Sequence, residues 1–264
     1  MAETFDEGQK PKQPGSINGE GLTLAGFNQG DPKTVYLDIG HCTSGERNPL
    51  LGSRAGTDQG FQGPGYTECQ INQGVGKELI KDLTQAGFYV VPTWDPAHPP
   101  EVVPKQEDLQ RRVDKVNNDV DKYGGDSIYL SIHHDSDTSG KSGQCVFVAD
   151  NKMREGITLA RAIQSTAWNV RERQGTESCI NSDLVTGNGK LVGLRGVKVP
   201  GVLVEAANVM NPRDRALMPD PVFQRQEAAA ITRGVVKYFQ LQPGTQRPLS
   251  SVVMEDLRRR QQGL

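Results

Sequence analysis

Apolar positions recur along the chain with two periods. Short apolar runs at Val35 to Ile39, Phe88 to Pro92, Ser127 to Ile132, Gln144 to Ala149 and Val202 to Ala206 read as strands. Between them lie segments with helical spacing. Thr67 can cap a helix in which Ile71, Val75, Leu79 and Leu83 recur every four residues and which stops near Gly87. Leu109, Val113, Val116, Val120 and Tyr123 form a second stripe, ended by Gly124 and Gly125. A third helix is predicted from about Gly156 to Arg171, with Ile157, Ala160, Ile163 and Ala167 inward, and a fourth from about Pro221 to Phe239. This alternation is the pattern of an α/β sheet covered by helices. Two long connections interrupt it, Cys42 to Tyr66, rich in Gly, and Asp95 to Pro104, rich in Pro. Connections of that length are candidate rims of a binding cleft.

The ends of the chain lack such periodicity. Residues 1–32, dense in Gly, Pro, Asn and Gln, read as a flexible N-terminal arm. Residues 242–264 form a C-terminal tail in which Ser250 to Gln262 can make one short helix ending in Arg258, Arg259 and Arg260. A domain of residues 33–241 remains between them. Of 264 residues, 30 are Lys or Arg and 32 are Asp or Glu, a formal charge of −2. That balance offers no basic field for nucleic acid or an anionic bilayer. No apolar run approaches the roughly 18 residues of a membrane span, and the first thirty residues carry no apolar core of a secretory signal. The expectation is synthesis in the cytoplasm. Cys42, Cys69, Cys145 and Cys179 include no Cys-x-x-Cys pair and read as buried packing thiols.

Three predicted strands end in residues able to bind metal or move protons: VYLDIGH in His41, IYLSIHH in His133 and His134, and GVLVE in Glu205. In open α/β sheets the ligand crevice lies outside the carboxyl ends of the strands. Glu68, in the first turn after Thr67, can join them. Two imidazoles and a carboxylate are the ligand set of many hydrolytic zinc sites, here His41, Glu68 and His133. Each also has a plainer reading, because a helix-start Glu is favoured by the macrodipole and a strand-end His is often a hydrogen-bonded loop residue. His133 and His134 point to opposite faces of a strand, so one of the two is the ligand. His98, in the Pro-rich loop, reads as a surface residue.

The segments VYLDIGH (35–41), GYTECQINQGVGKELIKDLTQAGFYVVPTW (65–94), LQRRVDKVN (109–117), SIYLSIHHD (127–135), LVGLRG (191–196) and PGVLVEAANVMNPRD (200–214) resemble, in this order, the zinc-dependent N-acetylmuramoyl-L-alanine amidases of the Amidase_3 type. The resemblance implies a single-domain, twisted, mostly parallel (mixed) sheet with helices on both faces. It implies one zinc ion held by His41, Glu68 and His133, with Glu205 catalytic. The implied reaction cleaves the amide between N-acetylmuramic acid and L-Ala of the peptidoglycan stem peptide. Cys42 stands where the family usually has Gly, Trp94 where an Arg is common, and Asp135 where Asn is usual. Cys42 and Cys69 each follow a proposed ligand, which invites a second metal or a disulfide; packing thiols are the preferred reading.

On this reading zinc-bound water is the nucleophile and Glu205 its general base, returning the proton to the leaving amine. Arg195 either orients a stem-peptide carboxylate or the oxyanion, or sits in a structural salt bridge. Asp38 either orients a ligand from behind or caps its strand. Two alternatives stand beside the amidase. One is a non-catalytic peptidoglycan-binding or structural component of a phage or phage-like particle, docked through the terminal segments. The other is a related zinc amidohydrolase or carboxypeptidase. An amidase made without a signal peptide or membrane span acts on the wall after release or delivery.

Overall fold

The computed structural model describes residues 33–42, 44–46, 56–95, 103–167, 179–183 and 191–241. The elements in chain order are β1 (Thr34–Ile39), β2 (Ser44–Glu46), β3 (Gly56–Thr57), β4 (Gln62–Gly63), β5 (Tyr66–Thr67), α1 (Glu68–Gln85), β6 (Tyr89–Pro92), β7 (Val103–Pro104) and α2 (Lys105–Tyr123). There follow β8 (Ser127–Asp135), β9 (Cys145–Val148), a 3-10 turn (Asp150–Lys152), α3 (Met153–Ala167), β10 (Cys179–Ser182), α4 (Val192–Gly196), β11 (Gly201–Asn208), α5 (Pro212–Leu217) and α6 (Pro221–Leu241). The arms at 1–32 and 242–264 and the residue His98 lie outside the described residues.

The main sheet has the order β10-β9-β11-β8-β1-β6. β6, β1, β8 and β11 run parallel, whereas β9 is antiparallel to β11 and parallel to β10. The expected mixed, mostly parallel sheet is therefore present. Side chains alternate between its faces. Val35, Leu37, Ile39, Ile128, Leu130, Ile132, Val202 and Val204 meet apolar residues of α1, α3 and α6 on one face. Tyr36, Tyr129 and Leu203 meet Val113 and Val116 of α2 and Leu194 of α4 on the other.

Local chemistry explains the borders. Thr67 and Gln70 make a reciprocal capping box, in which each side chain accepts from the other residue's backbone N–H. α2 starts four residues before its first apolar position, and α3 three residues earlier than its period suggests. The polar stretch 172–190 contains the edge strand β10 among its described residues. CINS lacks the apolar run of an inner strand, since an edge strand needs only one neighbour. No described helix is long and apolar enough to cross a membrane.

Candidate metal centre and its surroundings

β1 ends at Ile39, and Gly40 N–H still donates to Ile132 O at 3.0 Å, so the chain leaves the sheet beside β8. A Cβ at Gly40 would lie 2.3 Å from the His133 ring. Only glycine lets that imidazole lie over the strand end. The next two residues turn sharply, with His41 at φ 62° and Cys42 at φ 74°, in the left-handed region that costs a side-chain-bearing residue energy. The turn brings His41 back over the first turn of α1. His41 Nε2 lies 3.1 Å from Glu68 Oε2, and His133 Nδ1 lies 3.2 Å from Glu68 Oε1. One donor atom from each of the three residues falls within 4.8 Å of the others. The proposed triad thus converges from β1, α1 and β8.

Glu205 is brought to the same place by register, since it pairs with His133 across β11 and β8. Period-2 alternation puts both on the α2 face. The same alternation sends His134 the other way, where it is buried with Nδ1 2.7 Å from Asn72 Oδ1 and Nε2 3.3 Å from Glu227 Oε2. His134 therefore has a complete set of partners away from the triad.

The sequence reading missed Asp58. Its Oδ2 lies 3.0 Å from His41 Nδ1, and Lys105 Nζ stands 3.2 Å from the same oxygen. Asp58 sits behind His41, on the nitrogen opposite to the one that faces Glu68, which is how a carboxylate fixes a histidine's ring orientation. Its position before Gly60 in the Gly-rich connection gave only a turn signal. Burial works to lower the His41 pKa, but the Asp58 and Glu68 carboxylates outweigh it and bring it to about 9. Burial would raise Glu68, yet His133 and His41 hold it well below the usual carboxylate range. Burial lowers His133. Glu205 is pushed well above its ordinary value, first by burial and then by the charges of Glu68 and Asp135. Its Oε2 is buried without a hydrogen-bond partner.

Asp38 is enclosed beneath this centre. Thr93 Oγ1 and Arg112 Nη1 donate to its Oδ1 at 2.7 and 2.8 Å, and Tyr129 Oη and Ser131 Oγ donate to its Oδ2 at 2.7 and 2.9 Å. Arg112 also donates to the carbonyl oxygens of Ile39 and His41, each at 3.0 Å, so the network supports the turn that carries His41. Trp94 is buried and donates to Ile39 O at 2.9 Å.

One sequence expectation is corrected. The four cysteines are not thiols: Cys42 pairs with Cys69 and Cys145 with Cys179, at Cα separations of 5.3 and 4.6 Å. Spacings of 27 and 34 residues gave no hint, because the fold, not the sequence interval, sets the approach. Arg195 does not join the triad. It lies between Asp150 and Asp183, beside the amino end of β11, whereas Glu205 is toward the carboxyl end. The structural salt bridge offered for it is the arrangement found.

The family model for N-acetylmuramoyl-L-alanine amidase matches residues 35–237. The chain belongs to this amidase family. The germination-specific N-acetylmuramoyl-L-alanine amidase of Bacillus subtilis is 26% identical over 218 residues, covering 78% of this chain and 80% of that protein. The amidase AmiC2 of Nostoc punctiforme superposes with a TM-score of 0.59 at 23% identity, over 81% of this chain and 99% of that one. An amidase from Clostridium difficile 630 does so with a TM-score of 0.60 at 21% identity, over 81% and 100%. These likenesses place the fold among amidase structures. The His41, Glu68 and His133 donors, two imidazoles and one carboxylate at 3.1 to 3.2 Å, also fit the zinc ion that is typical of the family.

Proposed function

We propose that the chain hydrolyses the amide between N-acetylmuramic acid and L-Ala of the stem peptide, with one zinc held by His41, Glu68 and His133. The observation that carries this reading is the convergence of those three side chains with Glu205 alongside, paired in register with His133. Zinc, when bound, supplies a Lewis acid for the scissile carbonyl and for the attacking water. Glu205 Oε2, buried and without a protein partner, takes the proton of that water and delivers it to the departing L-Ala nitrogen. A poor amine leaving group needs that proton before the C–N bond breaks. Asp58 and the Arg112–Asp38 pair hold His41 in place and do not meet substrate.

The two disulfides support work in an oxidising compartment, consistent with action on the wall after release or delivery. Incubation of zinc-loaded protein with purified peptidoglycan tests the reading. The expected products are intact stem peptides with new L-Ala amino termini and unbroken glycan. Trimmed stems still attached to glycan would assign a peptidase instead, and no release would leave a binding component.

A further inference from the structure

We propose that the Cys42–Cys69 disulfide is a positioning device for the metal centre, fixing the distance between the segments that carry His41 and Glu68. This inference rests on the zinc reading above. The bond joins the residue directly after His41 to the residue directly after Glu68. One covalent link therefore sets the separation of two donor carriers that come from different elements.

The surrounding backbone shows why a link is needed there. His41 and Cys42 are the two described non-glycine residues with positive φ, and they are consecutive, so the turn has little conformational support of its own. Side chains already hold its carbonyls, Arg112 those of Ile39 and His41 and Asn72 that of Gly40, and the main chain ties it to the next segment. Cys42 N–H donates to Asp58 O at 2.8 Å and Cys69 N–H donates to Gln59 O at 3.0 Å. The Asp58–Gln59 segment is thus strung between the two half-cystines, and the carboxylate behind His41 is carried on the same unit. Both half-cystines are buried in the main core, with Gln73 Nε2 3.4 Å from one sulfur and 3.6 Å from the other. A cross-link packed in this way transmits its geometry to its neighbours. Cys145–Cys179 makes a natural control: it ties the β9 residue paired with Glu205 to β10 and touches no proposed zinc ligand carrier.

The decisive variant is Cys42→Gly with Cys69→Ala. Glycine adopts φ near +74° without penalty, so this change removes the cross-link while easing the backbone. Free thiolates, which would themselves take zinc, are absent. Zinc affinity is read by chelator competition, and site geometry by the visible spectrum of the cobalt(II)-loaded protein. With far-UV circular dichroism unchanged, zinc affinity is expected to fall on the order of 10- to 100-fold, the usual cost of losing support behind a metal ligand. The cobalt spectrum is expected to change as well. Cys145→Ser with Cys179→Ser is expected to bind zinc as the native chain does.

A folded Cys42→Gly/Cys69→Ala protein that binds zinc as tightly as the native chain, with the same cobalt spectrum, overturns the proposal. Equal loss of affinity in the Cys145/Cys179 control also overturns it, since the effect would then be general. If the variant fails to fold, the metal-free native chain is followed by amide hydrogen exchange before and after reduction. A dithiol reductant gives two electrons and two protons, becoming a cyclic disulfide while Cys42 and Cys69 become thiols. Loss of protection at the Cys42 and Cys69 amides, with β1 and β8 still protected, supports the clamp; retained protection there overturns it. A native chain that takes up no zinc would instead sink the metal reading itself.

Discussion

Asp38 and Glu205 are both carboxylates on the α2 face of one sheet, on strands that flank β8, and their settings are opposite. Asp38 is surrounded by four donors, one of them the Arg112 guanidinium. Burial alone would raise its pKa, but Arg112, Thr93 and Tyr129 hold it below the usual carboxylate range. For Glu205, burial and then the charges of Glu68 and Asp135 outweigh the lowering by His41 and push it up, and one oxygen lacks a partner. Native structures satisfy nearly all buried polar groups, so an unsatisfied one asks for an explanation. The saturated carboxylate is scaffolding, and on the function proposed above the deficient one is completed by the attacking water.

The largest effect expected from this contrast is on Glu205. Glu205→Gln should lose activity on peptidoglycan by about 10²- to 10⁴-fold while keeping its zinc. Its thermal midpoint should not fall, because a neutral amide cannot take on the negative charge that Glu68 and Asp135 disfavour at this position. A midpoint that drops together with the activity would mean that Glu205 is structural too. Arg112→Met should act first on stability. Removing one partner of a buried ion pair leaves Asp38 and Asp108 uncompensated and typically costs about 3–5 kcal/mol, measurable by urea unfolding. A cost below about 1 kcal/mol, the size of an exposed pair, would erase the distinction between the two carboxylates.

A smaller effect should appear with pH. In the metal-free chain His41 has its pKa raised from 6.5 to about 9, the Asp58 and Glu68 carboxylates outweighing burial. The folded value lies above the unfolded one, so the stabilisation is complete below about pH 6.5 and lost as pH rises through about 9. Chelator-treated protein should therefore become less stable across that window. Zinc must displace the same proton, so binding at neutral pH should release about one proton, detectable by calorimetry in buffers of different ionisation enthalpy. Stability that stays flat over the window would mean that His41 is not held as the imidazolium.

Much of this was legible in the sequence because it follows from periodicity. Alternation along SIHHD separates His133 from His134, and the Thr67 cap fixes where Glu68 enters α1. What could not be read depends on contacts made only by the folded chain. Asp58 lies in a Gly-rich connection with no period, Arg112 looks like one charge among several on α2, and the cysteine pairs meet across 27 and 34 residues. Cys42, which departs from the glycine usual in the family, takes the same left-handed backbone that favours glycine and adds a cross-link.

The smallest effect should come from Arg195, and it sharpens the contrast between the two ends of the sheet. The segment LVGLRG carries part of the family likeness, so a role in recognising the stem peptide was a reasonable expectation. Its guanidinium instead faces Asp183, with Nη2 3.0 Å from Asp183 Oδ1, and also Asp150. Asp183 keeps a second donor in Asp150 N–H, at 3.0 Å, so it is not stranded when the arginine is removed. β9 runs antiparallel to β11, with Cys145 opposite Glu205 and Phe147 opposite Leu203; continuing along β9 to Asp150 leads away from the metal centre. Arg195→Gln should therefore leave zinc content and hydrolysis of peptidoglycan at native levels, with a modest fall in the thermal midpoint. If hydrolysis falls tenfold or more in a protein that melts normally and holds its zinc, substrate reaches the amino end of β11, and the catalytic cleft extends beyond the ends of the strands that carry His41, His133 and Glu205.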